Sequence, residues 1–198
     1  MGLELDYIDG QTPLEQDEIN GLLIPTIATR GELDEFEQHN IEKAIMWTLN
    51  RSFKAEVIFN EGFIRKVHTQ MYGDVWSWAG EFRKTNKNIG VDWWKISLEL
   101  KYLLDDVLYW YKKETFPPDE IDIRFKHRLV SIHCFPNGNG RHSRLMADII
   151  IDKIYKQPVF SWGAANLNRE GGARKTYLKA VKMADNGDYS LLLDFAKS

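Results

Sequence analysis

The sequence predicts an all-α protein. Apolar residues recur at helical spacing over long segments, as in Ile96, Leu100, Leu103, Leu104, Val107, Leu108 and Tyr111. Boxes of the Thr-x-x-Glu type stand where helices should start, at Thr12-Pro13-Leu14-Glu15 and Thr29-Arg30-Gly31-Glu32. One stretch, Phe82 to Val91, fits no helix: Thr85, Asn86, Lys87, Asn88 and Gly90 are turn formers between Phe82 and Ile89/Val91. A single short, exposed β-hairpin is expected there.

In order along the chain, Pro13 sits at the first helical position of a short helix that Gly21 ends, and Leu22-Leu23-Ile24-Pro25 runs extended. The second box opens a helix to about Leu49, with Ile41, Ala44, Ile45 and Leu49 as its apolar face. Gly62 to Tyr72 gives a helix with Phe63, Ile64, Val67 and Met71 inward, and His68 near that face reads as a hydrogen-bonded core histidine. Trp76 and Trp78 read as a core clamp. Pro117-Pro118 stops the long helix of residues 96–111, and Asp119 can cap the helix that leads through Ile123–Ile132 to His133. Leu145, Met146, Ile149, Ile150 and Ile154 mark the next helix, which ends before Pro158. Leu167 opens a turn broken at Gly171-Gly172, helix resumes over Arg174–Val181, and Asp185-Asn186-Gly187-Asp188 turns into a last helix from Tyr189 to Lys197.

The bulk properties bound the function. The 198 residues are expected to form one domain over 1–198, with 1–39 an N-terminal helical extension packed on the core. Seven Trp, eight Tyr and ten Phe argue against disorder. A net charge of −3 without a long single-sign run does not suggest a nucleic-acid-coating protein. A single cysteine, Cys134, leaves no internal disulfide framework. The first residues lack the basic start and apolar core of a signal peptide, and no apolar run approaches the ~20 residues that span a bilayer. The expectation is a cytoplasmic protein with neither membrane nor nucleic acid as partner.

Chemistry concentrates in His133-Cys134-Phe135-Pro136-Asn137-Gly138-Asn139-Gly140-Arg141-His142-Ser143-Arg144. A tight loop of Pro, Asn and Gly joins two buried helices and can leave N–H groups pointing into free space. A helix N-terminus carries partial positive charge, yet its first turn here holds Arg141 and Arg144, three apart on one face. That is unfavourable unless an anion fills the space, and the combination describes a polyphosphate site. His133 would stand beside it as a base, and Asn137 offers an oxygen to a metal ion on the phosphates. Each feature alone has an ordinary explanation: a core histidine, a simple turn, solvated arginines. Their coincidence within twelve residues favours the functional reading.

This stretch resembles the signature of the Fic family, His-x-Phe-x-Asp/Glu-Gly-Asn-Gly-Arg-x-x-Arg, at His133, Phe135, Gly138, Asn139, Gly140, Arg141 and Arg144. Asn137 departs from it, standing where the family has Asp or Glu. Trp78-Ala79-Gly80 with Arg83, and Arg174-x-x-Tyr177-x-x-Ala180, resemble further stretches of the family core, and the loop wording is similar to the subgroup called mobile mystery protein B. The resemblance implies a Fic-type helical bundle whose hairpin is a flap beside the active site. It implies transfer of AMP from ATP to a Ser, Thr or Tyr hydroxyl of a target protein. His133 would be the general base, and Gly138, Asn139 and Gly140 the anion hole. Arg141 and Arg144 would contact the phosphates, Asn137 would be the ligand to Mg²⁺ (or Mn²⁺), and Phe135 the buried anchor. Lys84, Thr85 and Lys87 would be flap residues that dock the target by strand addition. A neutral Asn137 holds a hard cation less firmly than a carboxylate. Phosphotransfer, another nucleotidyl transfer, or a weakened nucleotide-binding regulatory module therefore stay open beside AMP transfer. Family members also work as toxins with a separate antitoxin, and a homodimer is allowed. The family's inhibitory Glu has three stand-ins here: Glu170, Glu56, and Glu37 as a partner for Arg144. A structural metal site drawing on His127, His133, Cys134 and His142 matches no zinc spacing.

Overall fold

The computed structural model describes residues 12–162 and 172–198. Among these residues the chain folds into α1 (Gln16–Ile19), α2 (Arg30–Leu49), α3 (Ala55–Ile58), α4 (Glu61–Tyr72), α5 (Ile96–Lys113), α6 (Pro118–Ile132), α7 (Asn139–Lys153), α8 (Gly172–Ala184) and α9 (Ser190–Lys197). A 3₁₀ turn, Trp93–Lys95, leads into α5. The fold is all-α, as expected. Leu22 and Trp76 form an isolated antiparallel bridge. No helix there is long and apolar enough to cross a membrane.

The centre is the α6–α7 pair. Pro118 opens α6 at its first turn, followed by Asp119 and Glu120 where a helix dipole favours acid. Phe125, Leu129 and Ile132 of α6 meet Met146, Ile149 and Ile150 of α7, with Ile64, Val67 and Met71 of α4 and Leu100, Leu103 and Val107 of α5 completing the core. Other faces of the same two helices, at Ile123, Ala147 and Ile151, carry a second cluster with Tyr177 and Ala180 of α8 and Leu192 and Phe195 of α9. Helices covered on several sides are positioned more strictly than surface helices, and the loop between them inherits that precision.

Two expectations need correction. The hairpin of residues 82–91 is a loop without a β-ladder. Its arms bond instead to the end of α6: Arg83 N–H to the Cys134 carbonyl (3.0 Å) and Val91 N–H to the Ile132 carbonyl (3.3 Å). The first capping box also forms elsewhere. Glu15, not Thr12, caps α1, in reciprocal bonds with Glu18. The box at Thr29 and Glu32 forms as read.

The face that α2 buries also differs. Ile45 and Leu49 are exposed, at 38% and 56%, whereas Leu33, Glu37, Asn40, Ile41, Ala44 and Thr48 are buried. Polar members of that face hide it from a search for apolar periodicity. Glu37 is there because its carboxylate accepts a hydrogen bond from Trp76 Nε1 (2.7 Å) and pairs with Arg141 (2.7 Å), pinning α2 to α7. Trp76 in turn stacks on Trp78 at 4.9 Å, the expected clamp. Glu37→Ala strands a partly buried guanidinium and a buried indole N–H, so the unfolding free energy should fall by about 2–4 kcal/mol. Urea denaturation at neutral pH measures it; a loss under about 1 kcal/mol, the scale of a surface pair, would contradict this account.

Candidate active site

The loop between α6 and α7 is built by three devices. α6 ends on His133 in the left-handed region (φ 58°, ψ 61°), which is costly for a residue with a Cβ. Arg83, itself buried, holds it there: Nε donates to the His133 carbonyl (2.6 Å), and the guanidinium also donates to the carbonyls of Thr85 (2.8 Å), Ile132 (3.5 Å) and Val91. Next, the Asn139 side chain clasps the loop, its Oδ1 accepting from Phe135 N (2.9 Å) and its Nδ2 donating to Phe135 O (2.8 Å). Phe135 is fully buried beneath it and stacks on His68 at 3.8 Å. Finally, Gly138 turns the chain into α7 at φ 78°, and a Cβ there would lie 2.6 Å from the Tyr72 ring. His68 accepts from Gly80 N (3.0 Å), so its Nε2 carries the proton donated to the Asn137 carbonyl (3.1 Å). It is the hydrogen-bonded core histidine expected.

No side chain caps α7. Its first intrahelical bond is His142 N–H to the Gly138 carbonyl (2.9 Å), which leaves the N–H groups of Asn139, Gly140 and Arg141 without a helical acceptor. These residues wall a cavity of about 460 Å³. Its lining includes the polar His133, Arg141, Arg144 and Arg174 and the less polar Ile89, Val130, Tyr177, Leu178 and Val181. Donors and cations together with apolar surface in one cavity suit a molecule with a polyphosphate and a flat heterocycle.

His133 Nε2 is hydrogen-bonded to the Thr12 hydroxyl at 3.1 Å, while Nδ1 is buried without an aligned partner among the described residues. Burial, then the cations of Arg83 and Lys87, push this imidazole down to about 4; the Val130 carbonyl acts in the opposite sense. The ring is therefore neutral near pH 7. Arg144 faces the Tyr177 ring at 5.7 Å. Burial alone would raise the Tyr177 phenol, but Lys126, its hydrogen-bond partner, and Arg144 pull it below its ordinary value.

The structure brings His133, Asn137, Gly138, Asn139, Gly140, Arg141 and Arg144 to one cavity. The Asn139 amide faces inward and leaves only its backbone N–H for an anion. Arg141 pairs with Glu37 and lies over Tyr72 (5.2 Å), so Glu37 partners Arg141 rather than Arg144. Burial works against the Arg141 charge, but Glu37 outweighs it and the guanidinium is held firmly protonated. Lys84 is an exposed partner of Glu81, Thr85 contributes its carbonyl to Arg83, and Lys87 is buried against Glu18 (2.5 Å) and the Pro13 carbonyl (3.3 Å). Glu170 lies outside the described residues, and Glu56 is exposed.

A divalent ion does not fit as a protein-held group. Asn137 Oδ1 already accepts from Gly138 N (2.7 Å) and its Nδ2 donates to the Thr12 carbonyl (3.0 Å). The cavity's carboxylates are engaged as well, Asp34 with Arg30 (3.0 Å) and Asp185 with His127 (2.8 Å). His142 bonds the Ile64 carbonyl (3.0 Å), and no group of three metal-ligating side chains occurs among the described residues. Sequence reasoning missed Thr12, Arg83 and Tyr72. Arg83 alone carried a signal, as part of the Trp-Ala-Gly-x-x-Arg stretch.

Comparison with known proteins agrees with this fold. A family model described as "Fic/DOC family" matches residues 58–151. The fold is similar to that of BepC, a VirB-translocated effector protein from Bartonella tribocorum with bound AMPPNP (TM-score 0.70, 16% identity, 92% of this chain and 97% of that one). It is also similar to the N-terminal Fic domain of a Bartonella quintana effector with bound ADP (TM-score 0.62, 17% identity, 91% and 94% covered). Fic-1 from C. elegans, residues 134–508, matches with TM-score 0.62 and 21% identity over 90% of this chain and 50% of that one.

Two glycines separate the loop's shape from its binding surface. At Gly138 a Cβ collides with Tyr72, whereas at Gly140 it meets nothing within 4 Å. Gly138→Ala should lower the melting temperature and abolish nucleotide binding together. Gly140→Ala should keep the melting temperature and weaken nucleotide binding, which calorimetric titration with ATP can read. Equal behaviour of the two variants would contradict this assignment.

Proposed function

We propose that this chain, whose residues 58–151 belong to the Fic/DOC family, moves the AMP group of ATP onto a hydroxyl side chain of a protein. The observation that carries the reading is the hydroxyl already seated on His133 Nε2, in the wall of a cavity that the uncapped N-terminus of α7 also lines.

Each part has a task. The N–H groups of Asn139, Gly140 and Arg141 receive phosphate oxygens, and Arg144 reaches the outer phosphates. Arg141 adds positive potential while tied to Glu37. Val130, Leu178 and Val181 cover the base of the nucleotide. The acceptor oxygen attacks the α-phosphorus and forms a P–O bond, its proton passes to His133, and the bond to the β-phosphate breaks to release pyrophosphate. A neutral imidazole is required at the start, and burial ensures it. An ion carried in on the phosphates would find only the Asn137 amide here, so the backbone and Arg144 carry the charge stabilisation.

Incubation with cell lysate and ATP labelled on the α- or the γ-phosphate tests the reading. Label from the α-position should enter protein and vanish with His133→Ala. Label from the γ-position alone would replace AMP transfer by phosphorylation, and ATP binding without transfer would favour a regulatory module, a reading to which the engaged Asn137 amide lends weight. The pH profile adds a second check. The acid limb of kcat/KM, which reports the free enzyme, should lie nearer about 4, and that of kcat at higher pH, because a bound polyanion favours the imidazolium. Both limbs at the ordinary ~6.5 would argue against His133 as the base.

A further inference from the structure

We infer that Thr12 is a modification site: its own hydroxyl, seated on His133, is the first acceptor of the transferred AMP, in cis. The inference rests on the transferase reading and names an acceptor that the reading leaves open.

The geometry goes beyond a hydroxyl that satisfies a buried histidine. Thr12 is 6% exposed and forms part of the cavity wall, with its hydroxyl 3.1 Å from His133 Nε2. Its carbonyl is gripped by Asn137 Nδ2 (3.0 Å), a residue of the phosphate loop itself. The segment that follows is strapped across the 82–91 loop. Lys87 Nζ donates to the Pro13 carbonyl (3.3 Å) and to Glu18 (2.5 Å), with Glu15 at 3.7 Å, and its side chain is 2% exposed. Trp78 Nε1 donates to the Glu18 carbonyl (2.9 Å), and Leu14 is buried. Residues 12–18 thus lie against the 82–91 loop beside the cavity, with a hydroxyl amino acid on the base. A foreign acceptor reaches His133 only after this strap leaves, whereas Thr12 is already there. Tethering also removes the entropic cost of bringing acceptor and base together.

With the ring proton on Nδ1, Nε2 accepts the Thr12 hydroxyl proton. Oγ1 bonds to the α-phosphorus of ATP, the bond from that phosphorus to the β-phosphate breaks, and pyrophosphate departs. The products are an AMP ester of Thr12 and pyrophosphate, with the proton on His133.

Purified full-length protein is incubated with α-labelled ATP at several protein concentrations, with and without lysate, and then mapped by peptide mass spectrometry. The expected result is the mass of one AMP on the Thr12 peptide, formed at a rate per molecule that dilution does not change. Thr12→Val, which takes the hydrogen bond from buried His133 Nε2 and should therefore lower the melting temperature, should lose that label, and Thr12→Ser should keep both the bond and the label. Label that slows on dilution, or that sits on other residues while Thr12 stays unmodified, overturns the inference. Labelled lysate proteins beside an unmodified Thr12 overturn it too, but leave the transferase reading standing. No label on this chain or on lysate overturns both.

Discussion

The site depends on a buried guanidinium that forms no ion pair among the described residues. Arg83 is 2% exposed, and its donors are spent on the carbonyls of Thr85, Val91, Ile132 and His133. Four carbonyl dipoles replace the water that such a charge would otherwise need. In doing so they fix three things at once: the left-handed turn that ends α6, the position of the 82–91 loop, and the height of the His133 ring. Burial is the main cause that keeps the imidazole neutral, and the Arg83 charge adds to it, so the residue that places the base also helps to keep it neutral. Gly90, at φ 102°, lets the loop come close, for a Cβ there would stand 2.6 Å from His133 Cβ.

The charges of the α7 N-terminus divide the labour between the two arginines of its first turn. Arg141 and Arg144 look from the sequence like one doubled anion site. In the fold, Glu37 supplies one anion from within, and Arg141 becomes a structural cation that ties α2 to the loop. Arg144 lines the cavity over Tyr177 and stays on the ligand's side. Of these two arginines, an incoming polyphosphate therefore meets Arg144, held beside Tyr177, as the one that has no carboxylate partner in the site among the described residues, with Arg141 already partly neutralised by Glu37. That division tempers affinity without lowering positional precision, since the backbone N–H groups are fixed by the helix itself.

How much of this was readable depends on the range of each interaction. Helix spacing in α4, α5, α6 and α7 is local, and those helices lie within a few residues of their expected bounds. The loop signature was legible because several residue types with unusual requirements coincide in one short stretch. The buried face of α2 was not, because Glu37 and Asn40 look like surface residues until Arg141 and Trp76 are brought to meet Glu37. The 82–91 loop was misread as a hairpin for a similar reason: turn formers look alike whether the arms pair with each other or with a helix end. Asn139 gave an anion-hole signal, yet its side chain is spent on the Phe135 backbone, a local bond that sequence spacing allows but does not demand.

Thr12 marks the far limit of such reading. Its contact with His133 spans 121 positions, and its box with Glu15 offered a local explanation that was complete in itself. A Thr-Pro-x-Glu sequence can cap a helix, and nothing in the pattern says that it will not. The fold chose otherwise because His133 Nε2 and the Asn137 amide together offer Thr12 one buried and one partly buried hydrogen bond, while α1 can be capped by Glu15 alone. A cap on a four-residue helix contributes little to stability, and a buried imidazole and amide left without partners would cost more. The chain therefore gives up the local cap for the distant pair, and that preference seats a hydroxyl on the base.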